Sequence, residues 1–219
     1  ANTKKKHIIL APTGIAAINA GGSTLHSFFK LPFHPLLPND SMYSVRNIRN
    51  TLKYNSEKIK IIREVELIII DEISMVRADI IDFLDKILRV YCRNMREPFG
   101  GKQLLLVGDI FQLEPVVKED DRRLLSPFYR SSFFFDAKVF EYFKLVSIEL
   151  KKVYRQSDPV FISILDHIRT SQVPMQDLQR LNQRVGAQLD ESDSKLAITL
   201  STRRDTVDYI NDSQLQCLP

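Results

Sequence analysis

Two short apolar runs in this chain each end in a polar turn. Ile68-Ile69-Ile70 leads into Asp71-Glu72-Ile73-Ser74-Met75, and Leu104 to Val107 leads into Gly108-Asp109-Ile110-Phe111-Gln112. An Asp at the end of a buried strand can hold Mg2+ through its water shell, because magnesium keeps most of its waters and takes only one or two carboxylates. The neighbouring Glu can orient and polarise an attacking water, as nucleotide hydrolysis requires. Gln112, an amide three residues beyond Asp109, can reach a terminal phosphate or the same water. Each residue also has an ordinary structural reading: Asp71 or Ser74 can cap a helix, and Gln112 can be a loop glutamine bonded to backbone. Two such turns on two adjacent strands make coincidence the weaker explanation.

Such groups act together only if the strands carrying them end on the same side of one sheet. Apolar runs of this length suit strands covered on both faces in a parallel sheet, and ligands of open α/β sheets sit beyond the strands' carboxyl ends. Strands are expected at His7–Ala11, Glu66–Ile70, Gln103–Val107 and Leu145–Leu150. Helices are expected at Ile15–Asn19, along the amphipathic stretch from Ile80 to Tyr91, and near Lys138. A further α/β unit opens with Phe161–Arg169, a strand at Leu196–Leu200 and a helix at Arg204–Leu215. The alternation predicts an α/β fold, a parallel sheet with helices on both faces. Pro32, Pro35 and Pro38 exclude a helix or central strand between Leu31 and Asp40, and the polar, basic stretch 42–64 has weak helical spacing.

Composition narrows the functional classes. Cys92 and Cys217 stand far apart without metal-ligand spacing, so neither a disulfide framework nor a zinc site is indicated. No apolar run approaches the roughly 18 residues of a membrane span, and no basic-then-apolar leader is present. The chain reads as a soluble intracellular protein, cytoplasmic in a bacterium and nuclear or mitochondrial in a eukaryote. Its net charge of +4 is unevenly divided: residues 1–65 carry ten Lys/Arg against three acids, a net of +7, leaving −3 for the rest. A one-sided basic surface suits a phosphate-backbone partner, although basic segments are often only solvated faces.

One part of a nucleotide site is missing from the sequence. None of the seven glycines belongs to a Gly-x-x-x-x-Gly-Lys-Ser/Thr loop. Without that nest of N–H groups and its lysine, the β- and γ-phosphates have no cradle here. The expectation is a piece of a longer protein that by itself binds ATP weakly or not at all and does not turn it over.

The order Ala11-Pro-Thr-Gly-Ile-Ala-Ala-Ile-Asn-Ala-Gly-Gly-Ser-Thr-Leu-His-Ser-Phe28, Ile70-Asp-Glu-Ile-Ser-Met75, Asp82-Phe-Leu-Asp-Lys-Ile-Leu-Arg89, Pro98-Phe-Gly-Gly-Lys-Gln103 and Gly108-Asp-Ile-Phe-Gln-Leu-Glu-Pro-Val116 resembles the petite-integration-frequency (Pif) DNA helicases, relatives of RecD in superfamily 1. Leu150-Lys-Lys-Val-Tyr-Arg-Gln-Ser-Asp158 and Leu200-Ser-Thr-Arg-Arg-Asp-Thr-Val207 extend the resemblance along the chain. It implies a RecA-like P-loop NTPase sheet: residues 1–150 as a first motor domain lacking its phosphate loop, and residues 151–219 as the beginning of a second. A small strand-separating wedge would lie within residues 31–65.

In function the resemblance implies a 5′-to-3′ translocase on single-stranded DNA, with ATP and Mg2+ as cofactors, DNA junctions as further partners, and a motor acting as a monomer. It assigns Asp71 to the metal, Glu72 to the water, Gln112 to the phosphate and Arg155 to the role of arginine finger. Thr13, Gly14, Asn19, Thr24, His26 and Ser27 match positions that contact DNA. There His26 or Phe28 could lie against a sugar or base, or simply belong to the core. Two other classes stay open: a passive single-stranded nucleic-acid-binding module, and a phosphate-loop ATPase that remodels proteins.

Overall fold

A computed structural model describes residues 4–188 and 198–217. These described residues divide into two compact units, with the boundary between Lys152 and Val153. In the first unit β1 (His7–Ala11) leads through Thr13 into α1 (Gly14–Asn19), whose first turn is capped by the Thr13 hydroxyl accepting from the Ala16 N–H. β2 (Ser23–Thr24) then returns beside β1, and Thr24 caps α2 (Leu25–Phe29) in the same way through the Ser27 N–H. The close return needs glycine at position 22, where a Cβ would lie 2.2 Å from the Ile9 carbonyl oxygen.

β3 (Leu67–Ile70) and β4 (Gln103–Leu106) complete a four-stranded, wholly parallel sheet in the order β2-β1-β3-β4. Register aligns Leu10 with Ile70 and Ile70 with Leu106, so the strands end level with one another. The α/β class read from the alternation of elements is therefore present. β4 departs from the expected burial: Leu105 is 48% exposed and outward residues alternate with half-buried ones. Among the described residues β4 is bonded to β3 alone, and an edge strand has only one flank to bury.

Residues 31–65 fold into irregular chain, a 3-10 turn, α3 (Ile48–Leu52) and α4 (Ser56–Glu64). Their apolar side chains, Leu31, Leu36, Tyr43, Ile48, Leu52, Tyr54 and Ile62, join the main core together with the buried face of α5 (Ala78–Cys92). Polar ties add to this: Tyr54 donates to the Phe29 carbonyl, Arg49 to the Val90 carbonyl at 2.7 Å and Arg63 to the Tyr91 carbonyl at 3.0 Å. The two arginines thus serve the carbonyl end of α5, where cations are favoured. Part of the basic excess of residues 1–65 has an internal structural use.

Two local expectations are corrected. The strand expected at Leu145–Leu150 is absent; these residues have no regular structure, and Val146, Ile148 and Leu150 are exposed. An apolar run becomes a strand only by pairing into a ladder, and residues 145–150 pair with no strand of the described sheet. The helix near Lys138 is a single 3-10 turn, Lys138–Glu141. A helix not expected from the sequence follows Val117: α6 (Glu119–Leu125), with acids in its first turn and arginines in its last, matching the helix dipole.

The second unit contains α7 (Pro159–Arg169), α8 (Met175–Asn182) and α9 (Arg204–Gln216). α7 is capped by Asp158 and tied to α8 by His167 and the buried Asp177, 2.6 Å apart. Of the strand expected at Leu196–Leu200, the first two residues lie outside the described residues and the last three have no regular structure.

Candidate active site and nucleic-acid edge

Because every strand runs the same way, the turns after β2, β1, β3 and β4 line one carboxyl edge. Their order places Thr24, then Thr13, then Asp71-Glu72, then Gly108-Asp109 along it. The two acidic turns are joined by backbone. Asp71 N–H donates to the Leu10 carbonyl at 2.9 Å, Val107 N–H to the Ile70 carbonyl at 2.9 Å, and Ile73 N–H to the Val107 carbonyl at 3.0 Å. A side chain at position 108 would not fit, since a Cβ there would lie 2.9 Å from Ile73 N and 3.0 Å from Ile73 Cγ2. Gly108 therefore lets the second turn press against the first. Gly108→Ala is expected to cost about 1–3 kcal/mol by overpacking, measured as a lower urea midpoint for the first unit. An unchanged midpoint would show that the turns are not held in contact.

Glu72 carries the strain of this turn. Its φ of 52° is in the left-handed region, uncommon for a residue with a side chain. The conformation is held by its own N–H donating to Asp71 Oδ1 at 3.0 Å and by its carbonyl accepting from Met75 N–H at 3.1 Å. Both acids are half-buried. Ser74, two residues on, is 1% exposed, and its Oγ has no hydrogen-bond partner among the described residues.

Gln112 is exposed, and its Nε2 donates to Asp109 Oδ2 at 3.3 Å while Asp109 Oδ1 accepts from Phe111 N–H at 3.0 Å. This local tether resembles the ordinary loop reading of Gln112, with a carboxylate in place of backbone. It still leaves the amide on the same edge as Asp71 and Glu72. The donors there are hard carboxylate oxygens, and no group of three or more His, Cys, Asp or Glu among the described residues forms a metal cage. Magnesium suits such a site because it relies on few protein ligands. A cavity of about 280 Å3 is lined by Leu36, Phe83, Lys86, Tyr129 and Val139 among others, and none of Asp71, Glu72, Asp109 and Gln112 lines it. Arg155 lies in the second unit, exposed in irregular chain ahead of α7.

At the other end of the edge, Thr13, Gly14, Asn19 and Ser27 are exposed, and Thr24 is half-buried. The Thr13 and Thr24 hydroxyls accept helix N–H groups at 3.3 and 3.1 Å, which leaves each hydroxyl hydrogen to donate. His26 is half-buried, and its pKa is lowered first by burial and then by the charge of Arg77, which favours a neutral ring. Phe28 is engaged by the edge of Phe29 and by Lys58 Nζ 3.8 Å from its ring centre.

Sequence reasoning missed the pair behind this edge. Arg77 donates to Asp79 through Nε at 2.8 Å and Nη2 at 2.7 Å, and the 1% exposed Asp79 also accepts from Leu36 N–H at 2.9 Å. Only an Arg-x-Asp spacing at a helix start hinted at it.

The PIF1-like helicase family model matches residues 1–178. The ATP-dependent DNA helicase RRM3 of Saccharomyces cerevisiae is 32% identical over 216 residues, 99% of this chain and 28% of that protein. Human ATP-dependent DNA helicase PIF1 is 33% identical over 214 residues, 97% of this chain and 30% of that protein. The crystal structure of Bacteroides Pif1 bound to ssDNA superposes with a TM-score of 0.87 at 43% identity, covering 97% of this chain and 47% of that one. Bacteroides Pif1 in complex with ADP-AlF3 and ssDNA gives 0.83 at 40% identity, covering 100% and 49%. The chain thus spans under a third of these two curated relatives and about half of the solved chains. With a family model matched over most of its length and a shared fold, the chain belongs to the PIF1-like helicase family.

Proposed function

We propose that this chain forms the water-activating and DNA-tracking part of a motor that couples Mg-ATP hydrolysis to 5′-to-3′ movement on single-stranded DNA. The observation that carries the reading is the shared carboxyl edge, with hydroxyl-bearing turns at β1 and β2 beside acidic turns at β3 and β4. Bound Mg-ATP would supply the phosphoryl group and the charge that neutralises it. Asp71 would hold the metal's water shell. Glu72 would align a water and accept its proton, and Gln112 would contact the terminal phosphate. Arg155 would offer a guanidinium to the charge developing on the transferring group. Thr13, Gly14, Asn19, Thr24, His26 and Ser27 would line the DNA path, with hydroxyls and N–H groups on phosphate oxygens.

Residues 1 to about 150 would form the first motor domain and 151–219 the beginning of the second, with a wedge role for 31–65. The motor would act as a monomer, with DNA junctions among its targets, in the cytoplasm or in a nucleus or mitochondrion. The DNA-bound and ADP-AlF3-bound Bacteroides relatives support this reading by similarity.

Titrating labelled oligo-dT at increasing salt tests it. Binding should weaken linearly in log-log form, with a slope of about −0.7 per phosphate contacted. Absence of binding, or affinity indifferent to salt, would overturn the DNA-tracking role and favour an ATPase acting on proteins.

A further inference from the structure

We infer that Phe33 is a stacking platform for a base of single-stranded DNA, with His26 as its backing. The inference rests on the DNA-tracking reading above and moves the aromatic contact from His26 and Phe28 to a residue outside the motif. The Phe33 ring lies parallel to the His26 imidazole, 5.2 Å between centres and 9° between planes. One face of Phe33 is thus occupied, yet the residue is 87% exposed, so its other surface meets solvent. Among the described phenylalanines it is the most exposed, although burying the ring would stabilise the fold.

The segment around it is held firmly. Leu31 is buried and its N–H donates to the His26 carbonyl at 3.0 Å; Pro32 precedes the ring, and buried Leu36 is anchored to Asp79. The ring is therefore presented from a fixed backbone, which limits the ordering cost of a contact.

The neighbouring groups favour a nucleobase as the occupant. His26 lies in the helix that the Thr24 hydroxyl caps at the carboxyl end of β2, and Lys30 ends the same helix. Residues 1–65 carry a net charge of +7, and even with Arg49 and Arg63 spent on the α5 carbonyls the segment remains net positive, complementary to a phosphate backbone. A neutral His26, disfavoured from protonation by burial and by Arg77, stacks without adding charge beneath the ring. The Phe28 ring, already engaged by Phe29 and Lys58, is poorly placed for the same task. Stacking on an aromatic ring is tolerant of base identity, as a translocating motor requires.

The chain contains no tryptophan, so Phe33→Trp installs a single reporter. Oligo-dT binding, followed independently by anisotropy of a labelled strand, should quench Trp emission in step with occupancy. Phe33→Ala should weaken oligo-dT binding about tenfold, while the wild-type chain and Phe33→Ala should bind an abasic strand of equal length alike. Bound oligo-dT with unquenched emission and unchanged Phe33→Ala affinity would overturn the platform while leaving the DNA-tracking reading intact. An equal loss on the abasic strand would also overturn it, as that marks a structural or backbone role. Failure of every variant to bind oligo-dT would remove both readings together.

Discussion

Changing Glu72 to Gln in the intact natural protein is expected to lower DNA-stimulated ATP turnover at least about a hundredfold, the lower end of what a positioned general base contributes. Nucleotide and DNA affinity should stay nearly unchanged. The substitution keeps the volume of the side chain and the backbone bonds that hold position 72 at φ 52°. It removes only the carboxylate that can accept a proton. A single-turnover assay with labelled ATP, beside equilibrium binding of a nucleotide analogue, separates chemistry from binding. Near-normal turnover would remove Glu72 from the chemical step and leave Asp109, on the adjoining turn, as the next acid to test.

The second large effect concerns stability. Asp79→Ala should cost about 3–5 kcal/mol, because it strands a buried guanidinium and leaves the Leu36 N–H without its acceptor. Arg77 has a side chain only 12% exposed, so water cannot readily replace the carboxylate. Replacing both partners with apolar residues, Arg77→Met with Asp79→Leu, should cost less than Asp79→Ala alone, since no unpaired charge remains. Urea denaturation of the three proteins checks the order. If the double variant proved the least stable, the pair would be contributing more than charge compensation. The Leu36 anchor belongs to the same segment as Phe33, so Asp79→Ala should also loosen the loop that presents that ring.

The elements legible in the sequence were those whose side chains point to one explanation. β1, β3 and β4 are apolar runs bounded by turn residues, and α5 repeats its apolar positions at helical spacing. Both acidic turns could be placed because they follow such runs directly. β2 was missed since two residues, Ser23 and Thr24, carry no periodicity, and their pairing depends on the close approach at Gly22. α6 was missed because its only buried residue is Leu125, so its identity lies in charge order along the helix. Leu145–Leu150 misled in the opposite sense: apolar content suggested a strand, but strand formation depends on a neighbour that local sequence does not name. The Arg77–Asp79 pair and the His26–Phe33 stack are contacts between segments, so residue types alone could not reveal their partners.

The outer side of β4 has a practical consequence. A strand bonded along one flank, with Leu105 and Val107 partly open to water, offers both main-chain hydrogen-bonding groups and an oily surface to any extended peptide. Such a margin invites intermolecular pairing. Purified by itself at high concentration, the 219-residue chain would tend to stick to copies of itself through this margin, and a polar substitution at Leu105 is the natural first step toward keeping it dispersed.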